Sequence, residues 1–324
     1  MYLINNMKIL ILSSSGDEIR KKKYKNVNNI SAVYGYMYYK NMKRYIKDNN
    51  LDIEVIINKM SFASTINRIY DHCFILYNRG TQVLDKESFD RLRKHIKNKI
   101  FTISPSSKII GDEDILIHYT GKEKEKSIKI NWTADEMELI PKQNTVNKIR
   151  ILIDHKYYGK KDSRIFNNDQ TEYIAQSLLD YQKLNKNIEI IQISTDDEKG
   201  YKIVNKIDDV SDYDRREATS FKNIYPIYET SSIFVVTHEE CMGLSTLECN
   251  MAGCKVVIPK DYIKTCFSNN LDFVDFNPNY DKEKKIEINW GTIIKNINPE
   301  KTRNTVKHLT FYNAINKIFK RFIL

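Results

Sequence analysis

The chain has 324 residues, of which 41% are hydrophobic, 29% charged and 11% aromatic. This composition excludes a largely disordered chain, because disordered chains carry too little apolar surface to offset the entropy of ordering, and the length fits two ordinary domains. The formal net charge is +10, yet residues 1–100 hold 19 Lys and Arg against 9 Asp and Glu, and residues 301–324 hold 6 against none. The basic ends predict an anionic partner for the surface that they build.

The first 130 residues alternate short apolar runs with amphipathic stretches. Helical spacing is strongest at 31–47 and 88–97. Runs typical of buried strands lie at 8–12, 53–57, 73–77, 100–103, 115–117 and 128–130. Alternating strands and helices predict a parallel sheet wrapped by helices.

The periodicity breaks near residues 141–145, and a second series of the same kind follows. Its strands are predicted at 149–153, 188–193, 233–236 and 255–258, and its helices at 171–184, 224–229 and 244–252. We therefore predict an α/β protein with two doubly wound, Rossmann-like domains, at 1–146 and 147–298, that face each other across a cleft. Residues 299–324 are predicted to form an amphipathic helix that packs back toward the first domain.

The cellular compartment is predicted from features that the sequence lacks. No apolar run approaches the roughly 20 residues of a membrane-spanning helix, and residues 1–15 lack the pattern of a secretion signal. The five cysteines show no paired CxxC spacing, which indicates free thiols in a reducing compartment. We predict a cytoplasmic protein without a transmembrane segment. Attachment to the inner membrane face, and a viral or phage product in an infected host cell, are alternatives within that prediction.

Residues 231–259 are the most informative stretch. They read as a buried strand, an acidic loop, a short helix, a glycine stop and another buried strand. Gly243 lets the backbone pass close to a ligand, Ser245 can cap free amides, and Gly253 can adopt the left-handed conformation that ends a helix. The amino end of a helix attracts anions, so a diphosphate is its natural occupant.

Two carboxylates flank this helix entrance. Glu240 precedes the helix, and Glu248 lies one turn inside it. Carboxylates repel phosphate, so here they make sense as acceptors for the neutral hydroxyls of a ribose and a sugar. The pattern favours a nucleotide-sugar site over the alternative of two solvated surface carboxylates.

The same stretch resembles a known family. Its spacing is similar to the donor-site motif of the retaining GT-B glycosyltransferases of the glycogen-synthase and sucrose-synthase-like superfamily. The matching positions are Glu240, Gly243, Leu244, Leu247, Glu248, Gly253, Val256 and Val257. The resemblance implies that Glu248 binds the ribose and Glu240 the hydroxyls of the transferred sugar.

The resemblance also implies the lining of the donor site. Gly243, Leu244 and Ser245 would lie close to the phosphates and the sugar, together with Cys241 and Met242. The last two residues depart from the family, which usually has glycine and an aromatic residue there. Lys255 likewise replaces a usual proline.

Family members place an Arg and a Lys, five residues apart, after the first strand of the second domain to neutralise the diphosphate. Lys156 and Lys161 fall at that spacing here, with Lys in place of Arg. By resemblance the catalytic residues are thus Glu240, Lys156 and Lys161, and no metal ion is expected. A solvated basic loop is the alternative interpretation of the two lysines.

The acceptor side is assigned to ends of first-domain strands. Ser15 and Gly16 follow the first predicted strand, Arg79 follows the run at 73–77, and His118 follows the run at 115–117. Carboxyl ends of parallel strands share one edge of a sheet, where ligands bind. For His118, an ordinary loop histidine is the alternative.

The resemblance implies a metal-independent retaining glycosyltransferase of the hexosyltransferase type. A nucleotide-sugar such as a UDP- or GDP-sugar would be its co-substrate, with no other cofactor. The expected acceptor is a glycan or lipid-linked glycan, and the basic ends suit an anionic acceptor or membrane surface. Alternatives are transfer to hydroxymethylated bases of phage or viral DNA, a nucleotide-sugar epimerase, and a catalytically silent GT-B binding protein.

Overall fold

The computed structural model divides the chain into two compact units, Met1–Asn131 with Leu309–Leu324, and Trp132–His308. It describes residues 6–13, 30–77, 84–104, 113–119, 123, 125–130, 133, 148–154, 168–193, 227–236, 244–260, 263, 271–276 and 288–324. Within these residues, none of the helices combines the length and the apolar character needed to cross a membrane.

The described strands and helices are numbered here in chain order. The strands are β1 (Met7–Ser13), β2 (Ile53–Lys59), β3 (His72–Leu76), β4 (Ile100–Ser104), β5 (Ile115–His118), β6 (Ser127–Lys129), β7 (Ile149–Asp154), β8 (Ile188–Ile193), β9 (Ile233–Val236), β10 (Lys255–Pro259) and β11 (Phe273–Phe276). The helices are α1 (Ile30–Asp48), α2 (Lys86–Lys94), α3 (Asn168–Leu184), α4 (Leu244–Met251), α5 (Trp290–Lys295), α6 (Pro299–Val306) and α7 (Phe311–Phe322), with a 3₁₀ helix at Met60–Thr65.

The first unit contains a sheet of six parallel strands in the order β2-β1-β3-β4-β5-β6. Its central strands are buried on both faces, as in the fully buried run Ile9, Leu10, Ile11 and Leu12. Continuous apolar runs of this kind are typical of parallel sheets with two covered faces. The strands predicted in this half of the sequence are confirmed.

Helices cover both faces of the first sheet. On one face, Leu10 and Ile75 pack with Ala63 of the 3₁₀ helix and with Phe89 and Leu92 of α2. On the other face, α1 and α7 lie together. Their contacts are aromatic: Tyr38 meets Phe311 edge-on with ring centroids 5.4 Å apart, and Tyr45 lies 4.9 Å from Phe319. The sheet is therefore a middle layer, which is the arrangement predicted from the alternation of strands and helices.

The second unit contains a sheet of five parallel strands in the order β11-β10-β9-β7-β8. One face of this sheet packs against α3 and α5, through Ile174, Leu178 and Trp290 among others. The Trp290 indole Nε1 donates a hydrogen bond of 3.1 Å to Ser177 Oγ, which joins α5 to α3. Both sheets are thus parallel and helix-covered, and the predicted α/β fold class is confirmed.

The last 26 residues form two helices rather than the single predicted one. The Asn298 side chain accepts a hydrogen bond from the Lys301 N–H, and Pro299 opens α6. The Thr310 side chain accepts from the Asn313 N–H at the start of α7. A capping residue has an extended backbone, so Thr310 ends any continuous helix across this point. Helix α6 belongs to the second unit and α7 to the first.

Candidate functional site

The strand order of the second sheet marks where a ligand is expected. The chain runs from β7 to β8 on one side of β7 and then crosses to β9 on its other side, so the strand order reverses between β7 and β9. In open parallel sheets, ligands bind beyond the carboxyl ends of the two strands at such a reversal. Asp154, the last residue of β7, pairs with Val236, the last residue of β9.

Both predicted donor-site segments leave the sheet at this reversal. The segment with Lys156 and Lys161 follows β7, and the segment with Glu240 follows β9. The two segments are about 80 residues apart in the sequence. The register of β7 and β9 brings Asp154 and Val236, the residues from which they start, side by side. The three residues themselves lie outside the described residues, as do Cys241, Met242 and Gly243.

Helix α4 has a buried face and an open face. Thr246, Leu247 and Asn250 are buried, whereas Ser245 and Glu248 are half-buried. Residues three apart share one face of a helix, so Ser245 and Glu248 together form the open face. Glu248 is the fifth helical residue, one turn from the start, as predicted.

The helix starts where the sequence predicts, but Ser245 is not at its capping position. Helix α4 begins at Leu244, so Ser245 is its second residue. Ser245 therefore does not occupy the capping position, which precedes the first helical residue. Ser245 is placed on the first turn, near the amides that an anion at this helix end would meet.

The carboxyl end of α4 is closed by a Schellman motif. Gly253 has φ +93°, its N–H donates to the Asn250 carbonyl at 3.0 Å, and the Cys254 N–H donates to the Cys249 carbonyl at 2.8 Å. This is the left-handed helix stop that the sequence predicts for Gly253. A Cβ on that residue would lie 2.9 Å from the Pro299 Cβ, so the position also requires the smallest side chain.

A buried polar network fixes the same end of the helix. The Asn250 side chain accepts from the Asp272 N–H at 2.6 Å and donates to the Cys254 carbonyl at 2.9 Å. The Asp272 carboxylate accepts from Lys255 Nζ at 2.8 Å and from Thr302 Oγ1 at 2.6 Å. The network joins α4, the starts of β10 and β11, and α6. It also gives Lys255, which departs from the family motif, a partner.

The electrostatics of this network centre on Asp272. Burial by itself raises the pKa of the Asp272 carboxyl, but the hydrogen bonds from Lys255 and Thr302 and the charges of Lys255 and Lys301 lower it more, so the pKa lies below its ordinary value. The carboxylate is therefore ionised in the folded protein at neutral pH. Sequence reasoning missed this group because Asn250 and Asp272 are 22 residues apart, with no local pattern linking them.

Three of the four acceptor-side candidates follow strands that meet at the corresponding reversal of the first sheet. There β1 pairs with β3, with Leu12 opposite Ile75. Ser15 and Gly16 follow β1, and Arg79 follows β3; all three lie outside the described residues. Their assignment to the acceptor side stays a prediction.

The structure places His118 within the sheet. It is the last residue of β5 rather than part of a loop, and it is fully buried. Its Nε2 lies 3.2 Å from the Ser127 Oγ, and in the register it stands opposite Ser104 at the end of β4. His118 thus occupies the expected edge of the sheet but contacts the buried Ser127 hydroxyl there. These interactions do not test its predicted contact with a substrate, which stays a prediction.

The described residues gather no set of metal ligands. Among the residues that the structure describes, no group of three or more His, Cys, Asp or Glu side chains is gathered closely enough to hold one ion. The three described cysteines, Cys73, Cys249 and Cys254, are buried and form no disulfide. The thiol of Cys254 contacts the carbonyls of Tyr228 and Ser231 at 3.0 and 2.9 Å.

Comparison with known proteins supports the fold. The lipopolysaccharide outer core galactosyltransferase WaaB, in its apo form, superposes with a TM-score of 0.52 at 11% identity, covering 98% of this chain and 100% of that chain. The chain has the GT-B fold. A Listeria monocytogenes protein assigned as a UDP-N-acetylglucosamine 2-epimerase superposes with a TM-score of 0.50 at 10% identity, covering 97% of this chain and 95% of that chain.

The likeness is one of structure. No protein-family model matches the sequence, and no curated protein matches it either. At 10% and 11% identity the two superpositions establish the arrangement of strands and helices. Activity has to be argued from the residues of this chain.

Proposed function

We propose that the protein is a glycosyltransferase that moves a sugar, with retention, from a nucleotide-sugar donor to an acceptor hydroxyl. One observation supports this above the others. Helix α4 follows β9 at the strand reversal of the second sheet and turns Ser245 and Glu248 to its open face. A helix amino end beside hydroxyl-accepting carboxylates suits a diphosphate linked to a ribose and a sugar.

The proposed roles follow the chemistry of each group. The first-turn amides of α4, including those of Leu244 and Ser245, bind the donor diphosphate, and the Glu248 carboxylate accepts hydrogen bonds from the ribose hydroxyls. Glu240 accepts hydrogen bonds from the transferred sugar. Lys156 and Lys161 neutralise the charge that develops on the departing diphosphate. Cys241, Met242 and Gly243 complete the lining of the donor site.

The proposed reaction is a front-face substitution. The bond between the anomeric carbon and the diphosphate oxygen breaks, and the acceptor oxygen forms its bond on the same face of the sugar. The acceptor proton passes to the departing phosphate oxygen, so the products are the glycosylated acceptor and the nucleoside diphosphate. The protein's contribution is positioning and charge stabilisation, without a metal ion or other cofactor.

The acceptor is proposed to be a glycan or a lipid-linked glycan. Ser15, Gly16, Arg79 and His118 are the residues that we assign to its side of the site. The excess of basic residues at the two ends of the chain suits an acceptor with negative charge.

The test begins with donor binding and turnover. The full chain is screened against UDP-, GDP- and ADP-sugars for a rise in melting temperature, because a ligand that binds only the folded state stabilises it. Transfer and hydrolysis are then followed by nucleoside diphosphate release, and the anomeric configuration of the product by NMR. Inversion at the anomeric carbon would contradict the retaining mechanism but leave glycosyl transfer standing.

Glu248→Ala tests the donor site directly. Loss of hydrogen bonds to an ionised acceptor should raise the donor KM about 10- to 100-fold. Glu229→Ala is the matched control, since Glu229 is a half-buried carboxylate of the same unit in the helical turn that precedes β9. Equal donor KM values for the two variants would remove Glu248 from the site.

The structural likeness to the assigned epimerase favours one second candidate, a nucleotide-sugar epimerase. An epimerase interconverts the sugar of a UDP-sugar without any acceptor. Incubation of the donor alone, followed by NMR of the sugar ring, separates the two: a new UDP-sugar isomer supports epimerisation, and acceptor-dependent nucleoside diphosphate release supports transfer.

A further inference from the structure

The outer side of the α1 and α7 pair has an unusual mixture of cations and tyrosines. The two helices bury their apolar sides, for example with Tyr45 against Phe319 at 4.9 Å and against Tyr312 at 5.6 Å. Between residues 35 and 47 of α1, the side chains that are half-buried or exposed recur every three or four residues, and the others are buried. The half-buried and exposed side chains are Tyr36, Tyr39, Lys40, Lys43, Arg44 and Lys47. With Tyr312 and Lys320 of α7 they form what we term the α1–α7 face.

Positive charge is concentrated on these two helices. Helix α1 carries four Lys and Arg and one acidic residue, Asp48, while α7 carries three Lys and Arg and no acidic residue. The Asp48 carboxylate lies 3.7 Å from the Arg44 guanidinium. Arg321 pairs with Glu123, and Lys317 Nζ donates to the Lys129 carbonyl. Seven basic side chains against one acidic one make the pair strongly electropositive.

Each of the three half-buried tyrosine rings on the face has a cation near it. Lys40 Nζ lies 6.0 Å from the centroid of Tyr36, and Lys43 Nζ lies 5.4 Å from that of Tyr39. The Arg44 guanidinium lies 4.7 Å from the ring of Tyr312. Tyrosine with Lys and Arg is the composition found at the interface between water and lipid, where the ring has an apolar body and a polar tip.

Two features of the α1–α7 face, its straight outline and the cations over its tyrosine rings, distinguish a lipid surface from a nucleic acid as the anionic partner. The partly exposed stripe of α1 extends from Tyr36 to Lys47, a straight line of about 18 Å along the helix, which suits contact with a plane. Proteins that bind single-stranded nucleic acid use open ring faces on which bases stack. Here one face of each tyrosine already holds a cation, which favours a lipid surface.

We propose that the α1–α7 face binds the surface of a bilayer rich in anionic lipids. The lysines approach the lipid phosphates, and the tyrosine rings lie at the level of the headgroups. The inference concerns the first unit alone and does not depend on the proposed enzymatic activity.

Vesicle co-sedimentation of the full chain tests the proposal. Vesicles of phosphatidylcholine alone are compared with an equal mixture of phosphatidylcholine and phosphatidylglycerol. Binding is expected to the mixture only, and to weaken as salt is added. In Lys43→Gln/Lys47→Gln, the loss of two cations at roughly fivefold each should weaken partition about 25-fold.

A charge-matched control distinguishes vesicle binding by this face from binding caused by the overall positive charge of the protein. Lys86 and Lys94 are exposed on α2, which covers the opposite face of the same sheet. Lys86→Gln/Lys94→Gln removes the same charge and should change partition by less than about twofold. All four lysines are exposed, so both variants should keep the parent melting temperature.

Three outcomes would overturn the proposal. The first is equal loss of vesicle binding in the two double variants, and the second is equal binding to both kinds of vesicle. The third is tighter binding of a fluorescent single-stranded oligonucleotide than of anionic vesicles, lost in Lys43→Gln/Lys47→Gln, which would assign the face to nucleic acid.

Discussion

The two ends of α4 are built differently. Its carboxyl end is closed by Gly253 and by the side chain of Asn250, whose hydrogen bonds reach Asp272 and Cys254. Its first turns carry Ser245 and Glu248 on an open, half-buried face. Within eight residues the helix therefore joins a fixed anchor to an accessible surface. A site that must hold a ligand in one geometry needs such rigid support behind it.

The same contrast extends across the second sheet. Lys255 begins β10, and Asp272 directly precedes β11, so the anchoring network lies at the amino edge of the strands. The proposed donor site lies at the carboxyl edge. Substitutions at the amino edge should change the free energy of unfolding, and substitutions on the open face of α4 should change donor binding. Both tryptophans, Trp132 and Trp290, belong to this unit, so their fluorescence reports its unfolding.

Gly253→Ala should have the largest effect on stability. Alanine is strained at φ +93°, and its Cβ would lie 2.9 Å from the Pro299 Cβ, an atom of a rigid ring. We expect a loss of about 3 kcal/mol in the free energy of unfolding. Urea denaturation followed by tryptophan fluorescence measures it.

Gly291→Ala is the matched control for that loss. A Cβ there lies 3.3 Å from the Tyr181 hydroxyl and 3.6 Å from Asn289 Oδ1, and Gly291 lies inside α5. The helix preference of alanine offsets the mild crowding, so the change should stay within about 1 kcal/mol. Equal losses at the two glycines would mean that the Schellman motif does not anchor α4.

Asp272→Asn should have the next largest effect. The variant removes the charge that holds Lys255, whose side chain is only 13% exposed, and weakens the hydrogen bond from Thr302. We expect a loss of about 2 kcal/mol at neutral pH, measured in urea as above. The donor KM should stay unchanged, and a rise in KM as large as that of Glu248→Ala would show that the two edges are coupled.

The acid dependence of this loss follows from the lowered pKa of Asp272. An unfolded Asp has a pKa of about 3.9, so the stabilisation is fully present above that pH and is lost as the pH falls through the folded-state value. The parent protein should therefore lose its advantage over Asp272→Asn as the pH falls below about 4. A difference that stays constant below that pH would exclude Asp272 as the titrating group.

Thr302→Val should cost less. Thr302 is fully buried, and its hydroxyl donates to Asp272 Oδ2 at 2.6 Å. Valine keeps the shape but removes the donor, so we expect a loss of about 1 kcal/mol. Since the lost hydrogen bond helps to lower the pKa of Asp272, the acid-induced loss should also begin at a higher pH than in the parent. Thr305→Val, which removes a half-buried hydroxyl bonded to the Thr302 carbonyl, is the control and should not move that onset.

The sequence predicted the architecture because parallel sheets leave a simple pattern. Buried strands such as β1 and β9 are continuous apolar runs, and both were located within a residue or two. Strand β11 and helix α5 were not predicted, since their residues Phe273–Phe276 and Trp290–Lys295 are too few to show a period. The break between α6 and α7 was missed because Thr310 was not recognised as a cap.

The site was predictable where its signals are local. The glycine stop at Gly253 and the position of Glu248 on α4 follow from neighbouring residues in one segment. The pairing of β7 with β9, which places two distant segments together, depends on strand order and cannot be read from either run alone. The network of Asn250, Asp272 and Thr302 likewise depends on tertiary packing.

Ser245→Ala should have the smallest effect on stability and the opposite sign. Ser245 is the second residue of α4 and half-buried, and alanine is the better helix former by about 0.5 kcal/mol. The free energy of unfolding should therefore stay level or rise slightly, while the loss of a hydroxyl beside the proposed diphosphate site should raise the donor KM several-fold. Ser177→Ala is a suitable control, because Ser177 is also a half-buried helical serine of this unit but bonds Trp290 Nε1. Ser177→Ala should lower the free energy of unfolding and leave the donor KM unchanged. The two serine variants therefore distinguish a residue that stabilises the unit from one on the open face of α4 that binds the donor.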